Sequence, residues 1–500
     1  MADFTASAPS ATFVDGGHML AGKSLKDVAV SEKADENHLL HGGVARDDFV
    51  ELVAERANLV SVHGAPFTKP PTRHREPGDG RHARVPRGTH RHEPARSRIM
   101  TRAAEGLDDF RQRARTWLAA NMAPIGDGWN DRSDERRDIE RGLQAQLWEG
   151  GFAGICFPVE YGGLGLDLTT YCMVVEELSR GWISISGVIN THFIGSYLLM
   201  KYGSDEQKDK YLPRMATGEI RAAFSLSEPE LGSDVQAIKT SAKKTPEGDY
   251  EINGQKMWVT NGLMSSLVFL LVKTDPDAKP RHKGFTCFIT EKEPGVSENT
   301  GEFAGLTVPP KIKKMGYKGV ESTELVYDGY RCPAENILGG EEAGLNKGFP
   351  QMMDALEVGR VNVAARGVGI AQRALELALQ YSQERKTFGR PIAEHQAIQF
   401  KLADMATKLE AARLVTRKAA NMKDAGIRSD LEAGMAKLIA SETGKEVVEE
   451  CFRIHGGYGY SKEYEIERLY RDAPLLLIGE GTSEIQRMVI GKKLLQRHKI

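Results

Sequence analysis

The chain has 500 residues, 40% of them hydrophobic, enough for a sizeable core in one multi-part protein. Its formal charge of -2, with both signs interspersed, sets up no global field for drawing in nucleic acid or an anionic membrane. The five cysteines (Cys156, Cys172, Cys287, Cys332 and Cys451) form no C-x-x-C pair. They suggest a reducing, cytoplasmic setting without a disulfide or zinc framework. No stretch reads as a membrane span, and no signal peptide opens the chain.

Residues 1–99 read as a disordered or spurious N-terminal extension. Lys69 to Arg98 is dense in Arg, His and Pro, with Val85 as its only large aliphatic residue. It cannot bury enough apolar surface to offset its ordering entropy. Gly17 to Ser24, G-H-M-L-A-G-K-S, fits a phosphate-loop pattern, but no buried strand precedes it and only a weakly periodic stretch follows. It reads as a chance match. His90 and His92 lack further ligands for a metal. The folded part is expected to start near Met100, with Leu107, Phe110, Ala114 and Leu118 at helical spacing.

The remainder divides in three. Residues 100–221 read as helices joined by Gly-rich turns, such as Glu160 to Asp167. Residues 222–336 read as a β domain. Tyr250 to Gly262 is expected to be a hairpin turning at Asn253-Gly254, with further strands at Ser266 to Lys273 and Lys283 to Thr290. Residues 337–500 read as a helical bundle. Ile398, Leu402, Met405, Leu409 and Ala412 form a buried stripe, and Ser429 with Glu432 suggests a capping box. The fold class is therefore α+β and multidomain: helices, a barrel-like β domain, then a four-helix bundle. No G-x-G-x-x-G follows a strand, so a Rossmann site is not supported.

The densest chemistry lies near the end, in L-L-L-I-G-E-G-T-S-E-I-Q-R, Leu475 to Arg487. Four aliphatic residues deliver Glu480 between Gly479 and Gly481. A carboxylate in so apolar a setting is expected to be desolvated, which raises its pKa and makes it a better base near neutral pH. Flanking glycines let backbone approach a ligand closely. Alone, this is also what a solvated turn before a last helix looks like.

Ordered motifs weigh against that plainer reading. From about Leu107 onward the chain resembles the acyl-CoA dehydrogenases, which are FAD flavoproteins. F-S-L-S-E-P-E-L-G-S-D (Phe224 to Asp234) is similar to the family's T-E-P-x-x-G-S-D loop, and Q-K-M-W-V-T-N-G (Gln255 to Gly262) to its K-x-W-x-T-N-G strand. E-R-K-T-F-G, E-H-Q, I-H-G-G-Y-G-Y and I-G-E-G-T-S-E-I-Q-R complete the resemblance.

The resemblance implies oxidation of an acyl-CoA thioester to its trans-2-enoyl form, in fatty-acid or branched-chain acid catabolism. Glu480 is the implied base. The other family position for a base, before an arginine on a helix, is Gly359 here, and Glu357 is two residues off it. Implied FAD contacts are Leu226, Ser227, Trp258 and Thr260 at the ring, then Arg385, Thr387, Phe388, Gln396, Arg453, Gly456, Gly457, Thr482 and Glu484. Arg453 stands where glutamine is usual, and Pro474 is unusual before the catalytic loop. Implied substrate contacts are Ser233, Arg360, Gly479 and Gly481.

The implied partners are an electron-transferring flavoprotein as acceptor and further copies of the chain, as a dimer of dimers. The segment Gly181 to Phe193, with Ser184, Ser186, Asn190 and His192, is expected to give a polar acyl pocket. Short, branched or methylsuccinyl thioesters are candidates. Two alternatives share the fold: an acyl-CoA oxidase, which usually carries a further C-terminal domain, and a DNA-associated relative, which would need a strongly basic bundle.

Overall fold

The computed structural model describes residues 147–148, 151–298 and 301–499. The Arg-rich segment, the phosphate-loop pattern and the expected helix after Met100 lie outside the described residues.

Helix α1 (Leu168–Tyr202) starts where Asp167 caps it, its carboxylate accepting the Thr170 N–H at 2.7 Å. The run is two helices joined at Trp182, whose φ of -162° and ψ of 121° are extended. By length and composition α1 could cross a membrane, yet 89% of its apolar window is buried in the protein. It is a core helix. Helix α2 (Asp205–Ala216) opens on a capping box of Ser204 and Gln207. Gln207 also donates to the Glu335 and Ile337 carbonyls at 2.7 Å, tying α2 to the end of the sheet.

Eight strands form one sheet: β1 (Ala222–Ser225), β2 (Ser241–Lys244), β3 (Tyr250–Thr260), β4 (Leu267–Lys273), β5 (Phe285–Glu291), β6 (Ser297–Glu298), β7 (Leu306–Val308) and β8 (Ser322–Cys332). The order is β1-β4-β2-β3-β8-β7-β6, with β5 on the other edge of β4. The apolar runs of β4 and β5 are buried almost throughout, as a strand covered on both faces requires. The expected hairpin at Asn253-Gly254 is instead continuous strand β3, with a register shift against β8 between Ile252 and Gly254. Gly254 takes φ 143°, and a Cβ there would meet Thr240 Cα at 2.6 Å, so the glycine serves a bulge pressed on its neighbour. The actual turn precedes β3, where Gly248 N–H bonds the Thr245 carbonyl.

After the short α3 (Gly340–Gly344) come α4 (Gly348–Glu384), the small hairpin β9 (Lys386–Thr387) and β10 (Arg390–Pro391), α5 (Gln396–Asp424), α6 (Asp430–His455), α7 (Ile466–Asp472), α8 (Pro474–Ile478) and α9 (Ser483–Arg497). Helices α4 and α6 pack closely; a Cβ at Gly367 would meet the Ala440 carbonyl oxygen at 2.6 Å. Met405, Leu409 and Ala412 are buried as the stripe on α5 predicts. The expected capping box on α6 does not form. Ser429 makes no cap bond and donates instead to Glu357, while Glu432 pairs with Arg497.

Candidate active site

Helix α8 carries Leu475 to Ile478 up to Gly479 and ends there. Glu480 follows in the left-handed region at φ 54°, Gly481 takes φ 94°, and Thr482 caps α9 by accepting the Ile485 N–H at 3.3 Å. A non-glycine residue in that region is uncommon and strained. It is held by Gln486, fully buried, whose Nε2 donates to the Glu480 and Gly481 carbonyls at 3.3 and 3.1 Å.

The Glu480 carboxylate turns inward. Asn190 of α1 donates to its Oε1 at 2.6 Å, and Oε2 is buried with no hydrogen-bond partner. Desolvation raises its pKa above the ordinary glutamate value. The Asn190 hydrogen bond and the positive charges of Arg366, Lys437 and Arg360 pull the other way without cancelling it. A Cβ built at Gly359 would meet Oε2 at 2.1 Å. Glycine at 359 is thus what leaves room for the carboxylate of Glu480. Glu357 faces away, bound to Lys423 at 3.2 Å and to Ser429 at 3.0 Å.

The surroundings hold buried polar atoms without partners: Arg360 Nε, Arg366 Nε and Nη2, Lys437 Nζ, Asn362 Oδ1 and Gln486 Oε1. Burial lowers the Lys437 ammonium to about 8, against a partial upward pull from Glu480. Orphaned buried polar groups cost free energy, and in enclosed sites they mark where a ligand or water completes the bonding.

In the β domain the Phe224 loop docks on β3. The Met257 N–H donates to the Ser227 carbonyl at 2.9 Å. Lys256, fully buried, donates to the Leu226 carbonyl at 2.9 Å and pairs with Glu228 at 3.1 Å. Burial pushes the Lys256 pKa down to about 8, only partly offset by Glu228. Burial pushes the Glu228 carboxyl up, but Lys256 and hydrogen bonds from Thr240 and Lys239 win and hold it below the usual value. Trp258, two residues after Lys256, takes φ 62° at a second register shift of β3 and leaves 56% of its surface exposed. Leu226, Ser227, Trp258 and Thr260 therefore share one end of the sheet, with an uncovered indole among them.

A second region is an open cleft of about 620 Å³ lined by Arg385, Thr387, Gly456 and Gly457, with Tyr381, His455 and Tyr458. Two glycines offering backbone, a hydroxyl and a guanidinium suit a diphosphate. Phe388, at φ 53°, projects outside the cleft with 96% of its surface exposed. Gln396 is the first residue of α5 and also lies outside the lining. Arg453 is bound to Glu449 at 2.8 Å and does not line it. Ser233 is exposed, as is Glu484 in the first turn of α9.

Of the polar residues expected in the acyl pocket, only Asn190 reaches Glu480. His192 is buried, donates from Nε2 to the Met215 carbonyl at 3.0 Å and accepts the Ala222 N–H at Nδ1. Burial and Arg221 hold it neutral, its pKa lowered to about 4. Ser186 bonds the Ile183 carbonyl, and Ser184 accepts the Gly319 N–H at 3.2 Å. Sequence reasoning missed Asn362, Arg366 and Lys437. The available signal was polar residues interrupting apolar helix faces in α4 and α6.

A desolvated carboxylate, an uncovered aromatic on the sheet and a diphosphate-suited cleft are the parts a flavin-dependent oxidoreductase needs. Family models for the N-terminal, middle and C-terminal domains of acyl-CoA dehydrogenase match residues 104–219, 223–330 and 346–495. The chain belongs to the acyl-CoA dehydrogenase family, whose members are FAD-dependent flavoproteins. It is 41% identical over 395 residues to a 3-(aryl)acrylate reductase of Clostridium sporogenes, covering 77% of this chain and 98% of that one. It is 38% identical over 400 residues to a (2S)-methylsuccinyl-CoA dehydrogenase of Cereibacter sphaeroides, covering 79% and 71%. The butyryl-CoA dehydrogenase structure from Megasphaera elsdenii superposes with a TM-score of 0.69 at 35% identity, over 78% of this chain and 98% of that one. The residues present fit FAD, with a bare indole and apolar loop for a flat ring and the Gly456-Gly457 cleft for phosphates.

Proposed function

We propose that the protein dehydrogenates an acyl-CoA thioester across Cα–Cβ, with Glu480 as the base for the α-proton. The observation that carries this is the buried, unpartnered Oε2 of Glu480, raised in basicity and given room by Gly359. FAD, when bound, supplies the acceptor for the β-hydrogen. Leu226, Ser227, Trp258 and Thr260 would hold its ring. Arg385, Thr387, Gly456 and Gly457 would hold its diphosphate end, with Phe388, Gln396, Arg453, Thr482 and Glu484 as further contacts.

The remaining steps belong to the chain's own residues. Asn190 orients the carboxylate through Oε1 and leaves Oε2 to take the proton. Gln486 fixes the strained loop so that the Glu480 backbone N–H can polarise the thioester carbonyl, the charge that develops there being the main barrier. Gly479, Gly481 and Arg360 border the acyl group, and Ser233 the CoA. The chemistry lies within residues 100–221, 222–336 and 337–500, acting together.

The physiological acceptor in this reading is an electron-transferring flavoprotein, and the enzyme is a cytoplasmic homotetramer. The exposed Phe388 (96%) and Tyr460 (86%), one on β9–β10 and one after α6, support a further copy covering that end of the molecule. Short or branched acyl-CoA thioesters, methylsuccinyl-CoA among them, are the substrate candidates. No observation favours an oxidase or a DNA-associated role.

The test is to purify the protein, record its flavin spectrum, and add acyl-CoAs under anaerobic conditions. Bleaching of bound flavin by at least one thioester supports the reading. A protein that stays colourless after FAD addition, or holds FAD that no acyl-CoA reduces, refutes it.

A further inference from the structure

The proposed mechanism uses Glu480, Asn190 and Gly359 but leaves two buried cations, Lys437 and Arg366, unexplained, and Arg366 has the more idle donors. Arg366 is only 4% exposed, and neither its Nε nor its Nη2 has a hydrogen-bond partner. No carboxylate is paired with it among the described residues. Its guanidinium lies 4.8 Å from the centre of the Tyr317 ring and shares a hydrogen bond with that side chain, and its charge also acts on Glu480. A buried arginine with two idle donors is costly unless something anionic or polar completes it. Asn362, fully buried, adds an unpartnered Oδ1, while its Nδ2 is spent on the Tyr171 hydroxyl at 2.7 Å.

Two helices fix where this cation lies relative to the base. On α4, Gly359, Asn362 and Arg366 fall at i, i+3 and i+7, so they share one face. Gly359 lies against Oε2 of Glu480. Arg366 starts about 10 Å further along the axis, but a long helical side chain leans back over the turn before it, which shortens the gap. On α1, Asn190 bonds Glu480, and one turn earlier Gly187 faces the Tyr317 hydroxyl: a Cβ there would meet that oxygen at 1.8 Å. Tyr317 carries the Arg366 guanidinium on its ring. Both helices therefore put the guanidinium about one turn, roughly 5 Å, from the catalytic carboxylate.

We propose that Arg366, with Asn362 beside it, binds a second carboxylate at the far end of the acyl group, so the substrates are CoA monothioesters of short diacids of four or five carbons. This deepens the dehydrogenase reading and rests on Glu480 being the base. With the α-carbon at Glu480, a carboxylate two or three carbons further on reaches a donor set about one turn away. A fork of guanidinium donors suits a carboxylate, where a lysine would act only as a point charge. A neutral acyl group of the same length would leave both donors unpaired, and a site that desolvates unpaired polar groups discriminates strongly against such ligands.

The test compares matched thioesters on the FAD-loaded enzyme without oxygen. Succinyl-, methylsuccinyl- and glutaryl-CoA are titrated against butyryl-, 2-methylbutyryl- and valeryl-CoA, following flavin bleaching for the rate and its concentration dependence for binding. The expected result is at least a tenfold lower half-saturation for the best diacid thioester than for its neutral counterpart. Arg366→Gln should erase that preference by weakening the diacid at least tenfold and the neutral thioester less than threefold. Arg366→Lys should recover part of it.

If neutral thioesters bleach the flavin as well as the diacids do, or Arg366→Gln lowers both alike, the subsite is refuted while the dehydrogenase reading stands. If no thioester of either kind bleaches the flavin, the dehydrogenase reading fails and the subsite with it. Should Arg366→Gln not assemble, the preference of the unmodified enzyme decides alone.

Discussion

The inward-turned carboxylate of Glu480 and the ring of Phe388 are solvated very differently. Around Glu480 the chain buries a carboxylate, a lysine and an arginine and leaves several of their polar atoms without partners. Around Phe388 it exposes a large ring at 96%, and Tyr460, after α6, is 86% exposed. The first region is assembled by one chain from α1, α4, α6 and the loop before α9. The second is open surface with glycines and a guanidinium on display. The contrast shows where reactivity is generated. Desolvation in the first region raises the Glu480 pKa, whereas Arg385 and Gly456 in the second are exposed and placed to bind.

The sharpest break of that contrast is Glu480→Gln. It keeps size and the Asn190 contact but removes the base, so turnover should fall by a factor on the order of 10² to 10⁴ with flavin still bound. Glu357→Gln should leave most activity. Steady-state rates on flavin-loaded enzyme check both, and the reverse order would transfer the base to Glu357.

Gly359→Ala comes next. The added carbon would meet Oε2 at 2.1 Å and must displace it. A displacement near 1 Å of a catalytic group costs about 10²-fold. The measured quantity is kcat at saturating substrate, with flavin absorbance unchanged. Full activity would mean that the carboxylate does not need this position.

Glu228→Gln probes the support of the ring-binding loop. It leaves Lys256 buried without its counter-charge, which costs about 3–5 kcal/mol. Urea unfolding should show the loss in its midpoint, and the Phe224 loop should hold flavin more weakly. An unchanged midpoint would mean that the pair is solvated.

Asn190→Ala is subtler. Its hydrogen bond favours the ionised form of Glu480, so removing it raises the pKa further. The base must be deprotonated to act, and activity falls as pH drops through its pKa. The acid limb of kcat/KM should therefore lie above the ordinary glutamate range in the unmodified enzyme and move higher in the variant. A shift to lower pH would contradict the assignment of that bond.

Much of this was legible in the sequence. The aliphatic run before Glu480 foretold a dry carboxylate, and apolar runs at Ser266 to Lys273 and Lys283 to Thr290 foretold β4 and β5. The Ile398 to Ala412 spacing foretold the stripe of α5, which is buried at Met405, Leu409 and Ala412 and half-buried at Ile398 and Leu402. Asn253-Gly254 misled, because the same residue pair that closes a tight turn also serves a bulge, and only the neighbouring Thr240 backbone decides between them. Ser429 and Glu432 misled because each found a tertiary partner stronger than the local cap. His192 looked like a pocket residue, but its two ring nitrogens close backbone bonds in the core. Arg366 and Lys437 were invisible for the converse reason. Their meaning depends on what they lack in three dimensions, and no local pattern encodes a missing partner.

The most direct test of the central claim, that Glu480 takes the α-proton in this dry pocket, is an isotope measurement. Flavin-loaded enzyme is mixed without oxygen with an acyl-CoA carrying deuterium at Cα, and flavin bleaching is followed in a single turnover. The account predicts a normal primary isotope effect in the unmodified enzyme and bleaching slowed at least a hundredfold in Glu480→Gln, in line with the loss of a general base. Bleaching of Glu480→Gln within tenfold of the unmodified rate would contradict it.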